Sequence, residues 1–254
     1  MPILGGQLGT RVLTTLFPAL PNTMDGGAYR NRSKLEALLG EDIWPAIQDR
    51  IVIDFGCGTG AEAIEMARRG AARVYGIDIQ EKLLATARQS CRVPNASFGK
   101  TAPDRADLII SLDSFEHFAD PDKILREMSG MLKPDGEVWV SFGPTWYHPL
   151  GGHLFSVFPW AHLLFSEHAL CAWRKNFKSD GANRFCEVEG GLNRMSIKRF
   201  LRIVEASPLA IKKLGLVPIR RTKWLHTRLT REFFTATVRC RLVQRRRTDL
   251  LAAA

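Results

Sequence analysis

The stretch Ile51-Val-Ile-Asp-Phe-Gly-Cys-Gly-Thr-Gly60 constrains the fold more than any other part of this chain. Ile51 to Phe55 reads as a short buried strand, Gly56 to Gly60 as a tight turn, and Ala61 to Arg69 as a helix closed by Gly70. Glycines at 56, 58 and 60 permit backbone torsions and a close ligand approach that a Cβ would block. Strand, glycine turn and helix in that order predict the first unit of a parallel α/β sheet.

The rhythm continues on both sides. Residues 1–45 hold Pro, Gly and Asn clusters and a helix at Ser33 to Leu39, with Ser33 as N-cap and Gly40 as its stop, and form a leader to the core. Strands are expected at Ala72–Ile77, Ala96–Gly99, Asp107–Leu112 and Glu137–Phe142, the last with alternating Val138, Val140 and Phe142. Helices at Glu81–Ser90 and Pro121–Leu132 separate them, and a Lys-Pro-Asp-Gly turn spans Lys133–Gly136. From Gly143 to about Leu192 the pattern breaks into an aromatic-rich stretch, and it resumes with a helix at Ser196–Ala206 and strands at Ala210–Leu216 and Phe233–Val243. Strands alternating with helices predict a doubly wound sheet with helices on both faces. The expected divisions are 1–45 leader and helix, 46–143 ligand-binding core, 144–192 substrate-covering insertion, and 193–254 the closing helix, last two strands and basic end of the same domain.

Composition narrows the class. A chain of 254 residues, 45% hydrophobic, buries a full core. No run of 18 apolar residues occurs, and Met1 to Leu20 lacks a basic start followed by an apolar block, so a cytoplasmic protein is expected. The cysteines (57, 91, 171, 186, 240) are scattered without a CxxC pair, which points to packing and away from a disulfide framework or zinc ribbon. The net charge of +10 is concentrated: Lys198 to Arg247 holds fifteen Lys or Arg against two acids. Such a face either is simply solvated or meets an anionic partner.

The ligand is argued from charge. Eighteen residues after Gly60 the second strand ends at Asp78, followed by Ile79, and the Asp78 carboxylate is able to accept two hydrogen bonds from a ribose diol. A dinucleotide and a methyl-donating adenosine compound both fit that geometry. Asp54 beside the loop repels a pyrophosphate, whereas S-adenosylmethionine has no phosphate and presents an ammonium and a sulfonium. The methyl donor is favoured.

At this point the motifs DFGCGTG, VYGID, ADLIISLDSFEHFADP and MLKPDGEVWVSF resemble those of class I S-adenosylmethionine-dependent methyltransferases over about residues 48–143. The resemblance implies a mostly parallel seven-stranded sheet with an antiparallel last strand and a helical, aromatic-rich insertion after strand 5. It implies that Asp54, Gly56, Cys57, Gly58, Thr59 and Gly60 line the methionine part of the cofactor, that Asp78 and Ile79 hold the ribose, and that Leu112 and Asp113 begin a segment, to His117, closing the pocket near the methyl. S-adenosylhomocysteine is then the product. The later segments GGHLFSVFPWAHLLFSEHAL, GLNRMSIKRF and REFFTATVRCRLV look like the covering insertion and closing strands of some bacterial small-molecule members. The chain departs from the family at Phe98–Ala102, where many members place an acid near the adenine.

Methyl transfer from a sulfonium is a direct displacement, so the protein's task is alignment and exclusion of water. A hydroxyl or phenol acceptor also needs a base, and His117, His148 and His153 are the candidates, since ligands of parallel sheets bind beyond the strands' carboxyl ends. His162 and His168 read as packing residues. Carboxylates at metal-ligand spacing are not apparent, and Asp113-Ser-Phe-Glu stands where nucleobase amino-methylating enzymes place Asn-Pro-Pro-Tyr. The expected activity is methylation of an oxygen or nitrogen of a small organic acceptor under the 144–192 segment. Its competitors are an RNA or DNA methyltransferase that uses the basic end, and a non-catalytic cofactor-binding or docking protein.

Overall fold

The computed structural model describes residues 3–19, 32–188 and 190–245. The sheet strands are β1 (Ile51–Phe55), β2 (Arg73–Ile77), β3 (Ala96–Gly99), β4 (Ala106–Leu112), β5 (Leu132–Phe142), β6 (Leu209–Pro218) and β7 (Thr235–Gln244). They form one sheet in the order β3-β2-β1-β4-β5-β7-β6, with β1 to β5 parallel and β7 antiparallel to both β5 and β6. The predicted sheet is therefore present, and the reversal of strand order falls between β1 and β4.

Helices α1 (Gly6–Leu16), α2 (Lys34–Leu39), α3 (Ile43–Ile47), α4 (Ala61–Arg68), α5 (Glu81–Ser90) and α6 (Pro121–Met131) occupy the first half. The second half has α7 (Ala161–Leu164), α8 (Glu167–Arg174), α9 (Ile197–Glu205) and α10 (Arg231–Phe234). Strand side chains alternate between two cores, as a period of two requires. Ile53, Ile109, Val138 and Val140 pack with Leu125 and Met128 of α6 and Phe200 and Val204 of α9. Val52, Leu108, Ile110 and Trp139 pack with Leu35 and Leu38 of α2, Ile43 and Ile47 of α3, and Met66 of α4.

Local signals set several boundaries. The Ser33 hydroxyl accepts the Glu36 N–H at 3.3 Å and caps α2, while Gly40 ends it at a φ of 89°. Other boundaries moved. Pairing of Leu132 with Ala106 draws the Lys133–Gly136 turn into β5, and residues 231–234 form α10 where the last strand was expected to start.

The first residues hold a helix that the sequence reading did not place. Residues 6–16 are helical and pack on the insertion, not on the sheet: Leu13 joins Phe155, Phe165, Leu170, Trp173 and Phe185 in a third core. Trp173 Nε1 donates to the Phe17 carbonyl at 2.8 Å, and Leu4 bridges to Phe165. The Pro, Gly and Asn cluster at 20–31 lies outside the described residues. Leu13 has no exposed surface. Leu13→Ala is expected to cost about 3 kcal/mol through the cavity it leaves, read as a lower urea midpoint; an unchanged midpoint would show that α1 does not stabilise the insertion.

Candidate active site

The loop after β1 and the residues ending β4 enclose a cavity of about 320 Å³ at the point of strand-order reversal, where an open α/β sheet leaves a crevice. Its lining includes Lys34, Asp54, Gly56 to Thr59, Ala61, Glu62 and Leu112 to Ser114. The loop is held by two backbone bonds, from the Gly56 and Cys57 N–H groups to the Ile77 carbonyl at 2.8 and 3.0 Å. The glycines serve different needs. A Cβ on Gly58 would meet nothing within 4 Å and would stand in open space. One on Gly60 would sit 2.4 Å from the Phe98 ring, so Gly60 admits β3 packing and not a ligand.

Asp54 is 3% exposed. Its Oδ2 has no hydrogen-bond partner. Burial, reinforced by Glu62, raises its pKa to about 8. An orphaned buried carboxyl oxygen lining a cavity is a site waiting for a cationic or donor group. Asp113, in the left-handed region at a φ of 48°, pairs with Lys34 at 3.1 Å. Burial holds its carboxyl above the ordinary range against the pull of Lys34. Lys34 was not singled out by sequence reasoning, because only the docking of α2 carries its ammonium to the cavity wall.

Asp78 stands at the edge of the loop and outside the cavity lining. Its Oδ2 accepts the Gly58 N–H at 3.0 Å and its Oδ1 the Gln80 N–H at 2.8 Å. Each oxygen keeps a second lone pair for a diol. Ile79 is 89% exposed beside it. Cys57 is buried with its thiol pushed up by that burial, then by Asp54 and Asp78, so it is an inert packing group. Asp104 is engaged by the Tyr75 hydroxyl at 2.6 Å.

The three candidate histidines gather beyond β4 and β5. His117 and His153 rings lie 5.2 Å apart, and His117 Nδ1–H donates to the Gly191 carbonyl at 2.7 Å, which directs its lone pair to Nε2. Burial, then His117, lowers His153 to about 3, and its Nε2 has no partner. His148 Nδ1 is spent on the Leu150 N–H at 2.9 Å, and burial followed by His162 lowers its pKa to about 4. His162, read as a packing residue, is buried with its Nε2–H on the Trp146 carbonyl at 2.6 Å.

Glu116, next to His117, is a buried carboxyl. Oε1 accepts the Gly143 N–H at 3.3 Å and Oε2 is unpartnered. Burial, then Asp113, lifts its pKa from 4.5 to about 8. Between those values the folded protein holds a proton that the unfolded chain releases, so this contribution to stability is complete below pH 4.5 and is lost as pH rises through 8. Glu116→Gln should show a smaller fall in melting temperature between pH 5.5 and 8 than the wild type; parallel curves would mean that the carboxyl titrates normally. Asp54, shifted the same way, leaves a residual slope in the variant.

The basic end is partly consumed internally. Arg241 stacks on Trp139 at 3.8 Å and pairs with Asp42, Lys212 pairs with Glu137, and Arg239 donates to the Ala37 carbonyl. Arg246 and Arg247 lie outside the described residues. Among the described residues, no group of His, Cys, Asp and Glu is placed to hold a metal, and no helix is long and apolar enough to cross a membrane.

Residues 53–140 match the family model described as a methyltransferase domain. A ubiquinone biosynthesis O-methyltransferase of Neisseria meningitidis serogroup C is 36% identical over 106 residues, covering 37% of this chain and 44% of that protein. The match therefore spans less than half the length of that relative. An S-adenosylmethionine-dependent methyltransferase of Mesorhizobium loti shares the fold, with a TM-score of 0.53 at 17% identity over 79% of this chain and 93% of its own. So does the magnesium protoporphyrin IX methyltransferase of Synechocystis with bound S-adenosylhomocysteine, at a TM-score of 0.51 and 18% identity over 80% and 78% of the two chains.

Proposed function

We propose that this chain, whose residues 53–140 match a methyltransferase domain, transfers a methyl group from S-adenosylmethionine to an oxygen of a small, partly apolar acceptor, releasing S-adenosylhomocysteine. The observation that carries the cofactor reading is Asp54: its free, buried oxygen lines the cavity, and an ammonium or sulfonium brought beside it draws the carboxyl into its charged form, which a pyrophosphate would not do. Lys34, in the same lining and paired with Asp113, supplies the matching charge for the donor's carboxylate. Asp78 takes the ribose hydroxyls, and Gly58 leaves the backbone open to the ligand.

When bound, the donor supplies an electrophilic methyl and a neutral sulfur leaving group. The protein positions the acceptor oxygen in line with it under residues 144–192, which keep water out. Of the three histidines, His117 is the best base for an acceptor hydroxyl, because its Nδ1–H is fixed on Gly191 and its Nε2 lone pair remains free. His148 is the poorest, since its lone pair already accepts a backbone N–H. O-methylation is favoured over N-methylation by the named function of the sequence relatives.

The test is calorimetric titration with S-adenosylmethionine and, separately, NADH, followed by a screen of phenolic acceptors for methyl transfer. Binding of the methyl donor alone, with turnover on a phenol, supports the reading. Binding of NADH in its place overturns the cofactor class, and donor binding without turnover on any acceptor favours a cofactor-binding or docking role.

A further inference from the structure

The connection between β6 and β7, residues 219–234, presents a surface that methyl transfer does not use. β7 runs antiparallel to β5, with Val238 opposite Phe142, so this connection lies beyond the same strand ends as the cavity loops. Between Ala206 and Arg231 the sequence has no acid. Arg220, Arg221, Lys223 and Arg228 are exposed, and among the described residues neither they nor Arg231 makes an ion pair. The nearby Glu232 does not offset them from outside, because its carboxylate is turned in to accept the Ile197 and Lys198 N–H groups at 3.0 and 2.7 Å.

Set among these cations are two large apolar side chains given over to solvent: Trp224, 78% exposed, and Leu229, 92% exposed. The apolar surface continues toward the insertion through Phe233, whose ring lies 5.6 Å from that of Tyr147. A single exposed leucine needs no explanation. An indole and a leucine surrounded by unpaired arginines form a different pattern, in which each part offsets a cost of the other at one kind of surface. Phosphates of anionic lipids neutralise the cations, and the headgroup boundary accepts the indole and the leucine.

We propose that the 219–234 connection docks on an anionic lipid surface, with Trp224 and Leu229 entering the headgroup boundary and Arg220, Arg221, Lys223 and Arg228 meeting lipid phosphates. RNA accounts for the arginines and for Trp224 as a stacking ring, but it gives Leu229 nothing to contact. The docked face lies at the same end of the sheet as the cavity.

The test is flotation of the full chain with vesicles, without cofactor, so that its outcome is independent of methyl transfer. The chain should float with vesicles of equal parts phosphatidylglycerol and phosphatidylcholine, remain in solution with phosphatidylcholine alone, and release at high salt. Arg220→Ser with Arg221→Ser should weaken partitioning about 30-fold, from roughly 1 kcal/mol per basic residue. Trp224→Ser with Leu229→Ser should abolish it in low salt while leaving the thermal melt unchanged, since these side chains are exposed. Absence of flotation, equal flotation of the variants, or tight salt-sensitive binding of polyuridylate in place of vesicles would overturn the proposal.

Discussion

Asp78→Ala should leave the chain folded and reduce its affinity for S-adenosylmethionine by at least about 100-fold. Two hydrogen bonds from a ribose diol to an ionised carboxylate contribute about 1.5–3 kcal/mol each. The same carboxylate holds the Gly58 and Gln80 N–H groups, so its removal also loosens the glycine loop at the place where the backbone meets the ligand. Calorimetry on the wild type and variant measures the effect, with a thermal melt as the control for folding. An affinity within twofold of the wild type would place the ribose elsewhere and remove Asp78 from the site.

The glycine loop offers the second large effect, and the structure divides it in two. Gly60→Ala combines a φ of 80° with a Cβ 2.4 Å from Phe98 Cε1 and 2.9 Å from Ala87 Cβ. Left-handed torsion costs about 1–2 kcal/mol for a residue bearing a Cβ, and overpacking about 1–3 kcal/mol, so a loss of about 3 kcal/mol in urea denaturation is expected. Gly58→Ala keeps only the torsional part, because its Cβ would meet nothing within 4 Å. It should cost about 1 kcal/mol in stability and instead weaken donor binding, its methyl standing in the cavity. Equal destabilisation by the two substitutions would show that Phe98 does not make the difference.

The same division runs through the reading of the sequence. The spacing of Gly56, Gly58 and Gly60 announced a strand, turn and helix, but the tight turn alone did not reveal that Gly60 answers to Phe98, thirty-eight residues away. Ser33 and Gly40 marked α2 correctly, since a cap and a stop act within one turn of helix. Lys34, which begins that helix, showed no sign of belonging to the cavity. The histidines were found by their place after strand ends. Their ranking required partners such as the Gly191 carbonyl, seventy-four residues from His117.

Sequence by itself determined the strands, their alternation between two faces, the helices α2, α4, α5, α6 and α9, and the acid-flanked glycine loop. Each of these is set by torsional preference and apolar period among neighbours a few residues apart. Tertiary structure alone decided that α1 stabilises the insertion through Leu13 and Trp173, that Lys34 pairs with Asp113, that burial raises the Asp54 and Glu116 carboxyls, and that Lys212, Arg239 and Arg241 are internally committed while the basic residues of 219–234 are not. These depend on which distant segments meet and how much water they exclude, and both are properties of the packed chain that no local pattern encodes.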